Sequence, residues 1–379
     1  MATRLLYIIQ NSDVFVSHRL PIAECALEQG FEVHLATHVL RHRELIESKG
    51  IKVHHFPLLG KLPFGIREAW ASLILLYIFL SVRPQLIHAV AIRCILLGGF
   101  VARVMRTPAR VFAVAGVGYY FIEAKEDRSF FRKILVLFMR FAINNKQSIT
   151  IFQNDDDLQL CRFFGVTVSR PTVMIRGSGV NLDEFHPPSS VDRVGVVVGL
   201  PARIQAHKGV REYAEAARIV KERHPEVRFA LLGKIDNDNP TALHPSELKS
   251  WESDKLVEPW GLQTDMPNAL KKLSIACLPS YREGLPKALL EAAATGLPIV
   301  TTDVPGCRDV INDGTEGFIV PAKDPKALAE ALTKLIESQS LREKMGSAAR
   351  KRAEEHFGIE KVVAAHLKTY DQIMTKEAV

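Results

Sequence analysis

Short apolar runs rich in β-branched residues alternate along the chain with longer segments whose apolar positions recur every three or four residues. In the first half the short runs predict strands at 5–9, 33–37, 53–56, 86–90, 111–115, 149–153 and 173–175. The helical spacing predicts helices at 21–30, 41–49, 67–83, 94–105, 130–143 and 155–164. After a Pro- and Ser-rich stretch at 186–195, the pattern begins again. Strands are predicted at 195–200, 228–232, 256–259, 275–279, 298–302 and 317–320, and helices at 210–223, 266–272, 287–295, 325–337, 341–355 and 360–375. Alternation of this kind is the signature of a parallel α/β sheet. Two successive doubly wound units imply a cleft, with ligands at the carboxyl ends of the strands. No repeat at a solenoid period and no low-complexity tract interrupts the pattern.

Composition narrows this picture. The 379 residues are 47% hydrophobic and 24% charged, which excludes disordered and fibrous classes. Five scattered cysteines without CxxC spacing argue against a zinc site or a disulfide framework and fit a reducing compartment. The N-terminus lacks the apolar core and cleavage site of a signal peptide. The longest greasy uncharged stretch, 69–82, falls short of the roughly 20 residues a spanning helix needs.

Charge is distributed unevenly. The whole net charge of +7 belongs to residues 1–190, which hold 22 basic and 15 acidic side chains, whereas 191–379 hold 27 of each. Within 51–150 the balance is 14 basic to 4 acidic. A one-sided surplus of this kind suggests an anionic partner. The helices at 67–83 and 94–105 are apolar almost all round, and 128–146 is amphipathic, with Arg132, Lys133, Arg140 and Lys146 among Phe, Leu and Val. They read either as sheet-packing helices or as a surface resting on anionic lipid headgroups. The basic residues are interleaved with helices of buried type and do not line an aromatic stacking surface, so no nucleic-acid partner is expected.

The most informative segment is PSYREGLPKALLEAAATGLPIVTTDVPG at 279–306. A strand leads into a short loop and then a helix. Pro286 suits the first helical position, where its missing N–H costs nothing, and Gly284 permits unusual backbone angles. The free N–H groups of the helix start favour an anion, and a diphosphate fits there. Glu283 in the loop and Glu291 in the helix frame this turn; carboxylates so placed accept hydrogen bonds from sugar and ribose hydroxyls. The bland alternatives are a dipole-complementing acid and a solvated helix residue. A second signal is GLPARIQAHKGVREY at 199–213, where Arg203 and Lys208 follow a buried strand and Gly209 opens a helix. The pair is suited to clamping phosphates, Arg by its planar fork and Lys as a point charge. The glycines of AGVGYY (115–120) and RGSGVN (176–181) read as loop turns, because neither completes GxGxxG before a helix.

With Arg203, Lys208, Glu283 and Glu291 in place, the chain resembles the retaining glycosyltransferases of family 4, over essentially its whole length and most strongly across 195–321. That resemblance implies the α/β GT-B architecture, two facing Rossmann-like domains. It implies an acceptor domain at 1–187, a nucleotide-sugar domain at 188–358 and a C-terminal helix at 359–379 returning to the first. The linker at 186–195 would serve as one hinge. Arg203 and Lys208 would hold the donor diphosphate, Glu283 would contact the transferred sugar, and Glu291 would contact the ribose. Backbone groups of Gly284, Leu285 and Pro286 would meet phosphates and sugar. The base would lie near the 259–262 strand end, which includes Gly261, and the turn at Gly233 and Lys234.

In the first half, AVAGVGYYF (113–121), FQNDDD (152–157) and RGSGVNLDEF (176–185) resemble bacterial enzymes that extend polyprenyl-diphosphate-linked glycans, including O-antigen precursors. Two departures stand out: the loop at 10–21 lacks the family's glycine pair, and Ala115-Gly116 stands where many members carry a histidine. Either His18 or His88 substitutes for it, or none is needed. His18, Arg19 and Arg93, taken to lie just past strand ends, are the acceptor-side candidates. The expected activity is retaining, metal-independent transfer of a hexosyl or N-acetylhexosaminyl group from a UDP-sugar to a lipid-linked glycan. It would need no cofactor beyond the donor and would take place at the inner face of the cytoplasmic membrane. Asp155–Asp157 read as a helix start rather than a metal site. The competing readings are a nucleotide-sugar 2-epimerase of the same architecture and a non-catalytic subunit with a glycosyltransferase-like fold.

Overall fold

A computed structural model of the chain describes residues 2–58, 66–117, 129–167, 171–188, 195–235 and 242–375, with the side chains of 129–132 outside the description. The chain divides into two compact units, one made of 1–178 with 360–379 and the other of 179–359.

The first unit is built on a parallel sheet in the order β3-β2-β1-β4-β5-β6-β7. Its strands are β1 (Arg4–Asn11), β2 (Glu32–His38), β3 (Lys52–His55), β4 (Leu86–Val90), β5 (Ala109–Val114), β6 (Ser148–Phe152) and β7 (Thr172–Met174). Central strands such as β4 and β5 are buried at every position. Both strands, apolar apart from His88 and Arg110, are therefore covered on both faces, as parallel sheets require. Helices α1 (Ser12–His18), α2 (Leu20–Glu28) and α3 (Arg43–Ser48) accompany β1 to β3. Helices α4 (Ile66–Val82), α5 (Ile92–Val104), α6 (Ser129–Ile143) and α7 (Asp155–Phe163) follow β3, β4, β5 and β6.

The second unit has a parallel sheet in the order β10-β9-β8-β11-β12-β13. Its strands are β8 (Val197–Leu200), β9 (Arg228–Leu231), β10 (Glu258–Pro259), β11 (Ile275–Leu278), β12 (Ile299–Thr302) and β13 (Gly317–Val320). Around it lie α8 (Val210–Lys221), α9 (Pro245–Ser253), α10 (Met266–Lys271), α11 (Lys287–Ala294), α12 (Pro325–Glu337) and α13 (Gln339–His356), and the last helix, α14 (Ile359–Thr375), falls almost wholly in the first unit. Among the described residues, no helix is long and apolar enough to cross a membrane.

Two expectations need correction. The boundary lies at 178/179 rather than at 187/188. Val180 N–H donates to Phe357 O and Ile359 N–H donates to Val180 O, while Phe185 is buried in the second core. Those bonds and that burial assign 179–187 to the second unit. Much of the expected hinge, 189–194, lies outside the described residues. The segment read as a loop at 10–21 instead contains α1, because the Asn11 side chain accepts a hydrogen bond from Val14 N–H and caps a helix whose Phe15 is buried. The sequence reading also passed over α9, which a capping box of His244 and Glu247 starts.

Candidate functional site

In the second sheet the order reverses between β8 and β11. From β8 the chain moves outward to β9 and β10, then crosses back to β11 and proceeds to β12 and β13. Parallel strands bind ligands at such a switch point, in the crevice beyond their carboxyl ends. The loops that leave β8 and β11 here are 201–209 and 279–286, the two segments that carry Arg203, Lys208 and Glu283.

Hydrogen bonds and close packing hold these loops together. Tyr281 N–H donates to His207 O at 2.9 Å. Gly209 has φ +72°, and a Cβ on it would lie 2.0 Å from Pro279 O, so only glycine permits the approach. A third loop braces them from β12: Glu283 N–H donates to Pro305 O at 3.1 Å, and a Cβ on Gly306 would meet Glu283 O at 2.5 Å.

The polar side chains converge within this frame. Lys208 stands in a short 3-10 turn, Ala206–Lys208, and its Nζ donates to Glu283 Oε1 in an ion pair whose side chains are only 15% and 13% exposed. Ser280 Oγ donates to the same oxygen at 2.7 Å. Thr302 Oγ1 donates to Ser280 O and so ties the loop to β12. His207 is held below its usual pKa by burial and by the Lys208 charge, so it is neutral in the site. Tyr281 OH donates to Glu212 Oε1 at 2.7 Å, and burial together with that bond pushes its phenol well up. Arg203 is exposed on the same loop, near enough to His207 for its charge to depress that ring further.

Beyond Glu283, the α11 backbone begins. Gly284 is half-buried and Leu285 is buried. Pro286 occupies the N-cap with φ −70° and ψ 112°, one position earlier than expected, and no side chain caps the helix. Pro286 itself supplies no side-chain acceptor to the first turn of α11. Glu291 lies within α11, 3.6 Å from Lys287, and its carboxyl is raised above the usual range, chiefly by burial. Lys287 and Glu184 are the charges that act on it, whereas Glu283 pairs with Lys208. Gly233 follows β9 with its backbone against Ala202 O, and Gly261 follows β10 with φ +71° in open space. Nearby, Gln263 Nε2 donates to Trp260 O at 2.6 Å.

The residues that the sequence reading missed are Ser280, His207, Tyr281 with Glu212, and Gly306. Ser280, Tyr281 and Gly306 lie inside the segment already singled out. Their roles depend on contacts between loops, for which sequence spacing gives no signal.

The acceptor-side candidates in the first unit fare differently. His18 and Arg19 do not follow a strand; they close α1, one helix beyond β1. Arg19 is 2% exposed, and burial lowers its pKa. Arg93, the second residue of α5, donates from Nη2 to Glu68 Oε1 at 2.7 Å and to Leu58 O at 3.1 Å. His88 is fully buried, and its Nδ1 shares a 2.6 Å hydrogen bond with Tyr370 OH of α14, which removes it as a substitute histidine. Asn154, not an aspartate, caps α7, accepting from Asp157 N–H. Gly177 and Gly179 have positive φ, as loop turns do, whereas 118–120 of the other glycine segment lie outside the described residues. Among the described residues no group of three His, Cys, Asp or Glu is placed to hold a metal ion.

Comparison with known proteins gives concordant results in both units. Residues 4–154 match the family described as glycosyl transferase 4-like, and residues 184–352 match glycosyl transferases group 1. The chain is 26% identical to an N,N'-diacetylbacillosaminyl-diphospho-undecaprenol alpha-1,3-N-acetylgalactosaminyltransferase of Campylobacter jejuni, over 94% of this chain and 95% of the relative. It is 25% identical to a UDP-Gal:alpha-D-GlcNAc-diphosphoundecaprenol alpha-1,3-galactosyltransferase of Escherichia coli, over 71% of each. Its fold is similar to that of a sucrose-phosphate synthase from Thermosynechococcus elongatus, with a TM-score of 0.80 and 16% identity, covering 99% of this chain and 100% of that one.

Proposed function

Because this chain belongs to the glycosyltransferases of the family 4 type, with the two Rossmann-like domains of the GT-B fold, we propose that it moves a hexosyl or N-acetylhexosaminyl group from a UDP-sugar to a polyprenyl-diphosphate-linked glycan, with retention at the anomeric carbon. The observation that carries this reading is the Lys208–Glu283 pair at the switch point, beside the start of α11. The two relatives named above act on undecaprenol-diphosphate-linked glycans, which supports the acceptor class. The name of the galactosyltransferase supports a UDP donor.

In this mechanism, departure of the diphosphate is the hard step. As the bond from the anomeric carbon to the phosphate oxygen breaks, negative charge grows on the leaving oxygen and the sugar becomes oxocarbenium-like. Lys208, Arg203 and the first N–H groups of α11 meet that growing charge; preorganised donors of this kind need not reorganise at the moment of reaction. Glu283, freed as Lys208 turns to the phosphate, accepts hydrogen bonds from the transferred sugar. Glu291 accepts from the ribose hydroxyls. The acceptor hydroxyl approaches from the face the diphosphate leaves and passes its proton to that phosphate, so no dedicated general base is assigned. The charge on the leaving group is met by side chains and backbone, and no metal or further cofactor enters the scheme. We place the reaction at the inner face of the cytoplasmic membrane, where a lipid-linked acceptor would be met.

The test is a panel of radiolabelled UDP-sugars with membrane extract. One donor should give a lipid-soluble product whose new linkage keeps the donor's anomeric configuration. Epimerised nucleotide sugar formed without acceptor, or no label in the lipid fraction with any donor, would defeat the reading.

A further inference from the structure

The first unit carries an apolar surface that no described element of the fold covers. The steps from β3 to β4, β4 to β5 and β5 to β6 all run the same way across the sheet, and right-handed crossovers put α4, α5 and α6 on one face. Helix α5 packs against both neighbours. The inward stripe of α4, made of Ala71, Leu75, Ile78, Phe79 and Val82, is buried. Its other side carries a second apolar stripe, Ile66, Trp70, Leu73, Tyr77 and Leu80, at spacings of four and three residues; every one is exposed, Tyr77 by 71%. A helix covered on one side by a sheet needs only one such stripe.

The surface continues across the neighbouring helices. In α6, Ile134, Leu137, Phe138 and Phe141 are exposed on one face, Leu137 by 66%. In α5, Phe100 and Val104 are exposed one turn apart, and the rings of Phe100 and Phe141 lie 5.7 Å apart, joining the two helices. Isolated exposed apolar side chains are ordinary, but a contiguous field over three helices is the mark of an interaction site.

Charge identifies the occupant. Lys133, Arg140 and Lys146 on or just beyond α6, and Arg106 just past α5, are exposed. Arg103 lies 4.2 Å over the Phe141 ring. Across α4, α5 and α6 the only acidic residue is Glu68, and Arg67 and Arg93 already neutralise it. An apolar field with exposed basic side chains along its described margin matches a bilayer that offers acyl chains beneath anionic headgroups. We infer that the exposed faces of α4, α5 and α6 are a docking surface for an anionic phospholipid bilayer, entered by Trp70, Leu73, Tyr77, Leu137 and Phe138. This deepens the proposed function by naming the surface through which a lipid-linked acceptor is reached.

The experiment sediments the full-length protein with vesicles of phosphatidylcholine alone and of phosphatidylcholine mixed with phosphatidylglycerol, without any donor sugar. The protein should pellet with the mixed vesicles, bind phosphatidylcholine far less, and be released in part by high salt. Leu73→Glu and Tyr77→Glu, and separately Leu137→Glu, should each lower the vesicle partition coefficient about tenfold or more, because a buried side chain of this size contributes about that factor. All three changes are at exposed positions, and unchanged melting curves would show the fold intact. Leu45→Glu, at an exposed leucine of α3, should bind like the parent chain. The inference is overturned if the protein stays in the supernatant, if binding ignores phosphatidylglycerol, or if Leu45→Glu is as damaging as Tyr77→Glu. It is equally overturned if Tyr77→Glu abolishes a concentration-dependent dimer while leaving vesicle binding intact, since the face would then belong to a second copy. Transfer to detergent-dispersed lipid acceptor tests the donor chemistry separately. Its failure would count against the proposed reaction and leave the vesicle result standing.

Discussion

At the scale of single residues, the site rests on one cation–anion pair and the glycines that let its loops approach. Lys208 and Glu283 come from loops 75 positions apart yet share a nearly enclosed ion pair. Removing one member of such a pair leaves the other uncompensated, which costs more than the pair contributes. Lys208→Met should therefore lose most transfer and also lower the melting temperature, and kinetics beside a thermal scan would check both. Arg203 is exposed, so Arg203→Ala should keep the melting curve and lower kcat by about 10²–10³, the usual cost of one preorganised donor. A kcat within a few-fold of the parent's would remove Arg203 from the mechanism. Gly209→Ala places a methyl group 2.0 Å from Pro279 O and forces a left-handed backbone on alanine. Donor binding, read by calorimetry with UDP, should be lost even where folded protein is recovered.

At the scale of elements, α14 is fastened to the first sheet by a buried polar cluster. Tyr370 OH lies 2.9 Å from Tyr7 OH and 2.6 Å from His88 Nδ1, and His366 stacks on His88 with ring centroids 5.5 Å apart. Arg19 is buried close by, and its Nε, His88 Nε2 and His366 Nε2 have no hydrogen-bond partner among the described residues. A buried cationic cluster of this kind keeps both imidazoles neutral. His366 is pushed down to about 3 by burial and then by Arg19, and His88 is lowered well below its usual value by burial, His366 and Arg19. Between the ordinary histidine value near 6.5 and the folded value, the unfolded chain binds protons that the folded chain does not. Stability should therefore fall as pH drops below about 6.5, the ordinary imidazole pKa. Thermal scans at pH 7 and pH 5 should show a smaller loss for His366→Gln than for the parent chain; parallel losses would show that this histidine is not the source.

At the scale of the whole molecule, the first unit is discontinuous in sequence and the second is continuous. Ending the chain at residue 359 would strip His366 and Tyr370 from the first core and leave Tyr7 and His88 without their partner. Scanning calorimetry of that shortened chain should show the first unit's transition weakened or absent. A fragment spanning 179–359 keeps its whole core and should unfold cooperatively by itself. Loss of both transitions on shortening would show that the units do not fold separately.

Much of this protein was legible before any coordinates. The strand and helix alternation follows from local spacing, because a sheet buried on both faces needs continuous apolar strands and each covering helix needs a stripe. Lys208 and Glu283 stand out in the sequence because they lie in loops that directly follow strands, and Glu291 because it lies in the helix that one of those loops enters. Short elements such as α1 and α9 were missed because capping by Asn11 and His244, not periodicity, starts them. Only tertiary structure decided which candidates reach solvent. It closed His88 and Arg19 into a core and committed Arg93 to Glu68. It also moved the boundary to 178/179 through bonds between Val180 and the 357–359 segment. Linear order specifies which side chains are apolar or charged along each element. Whether a charge is paired, buried or presented depends on what a distant part of the chain packs against it.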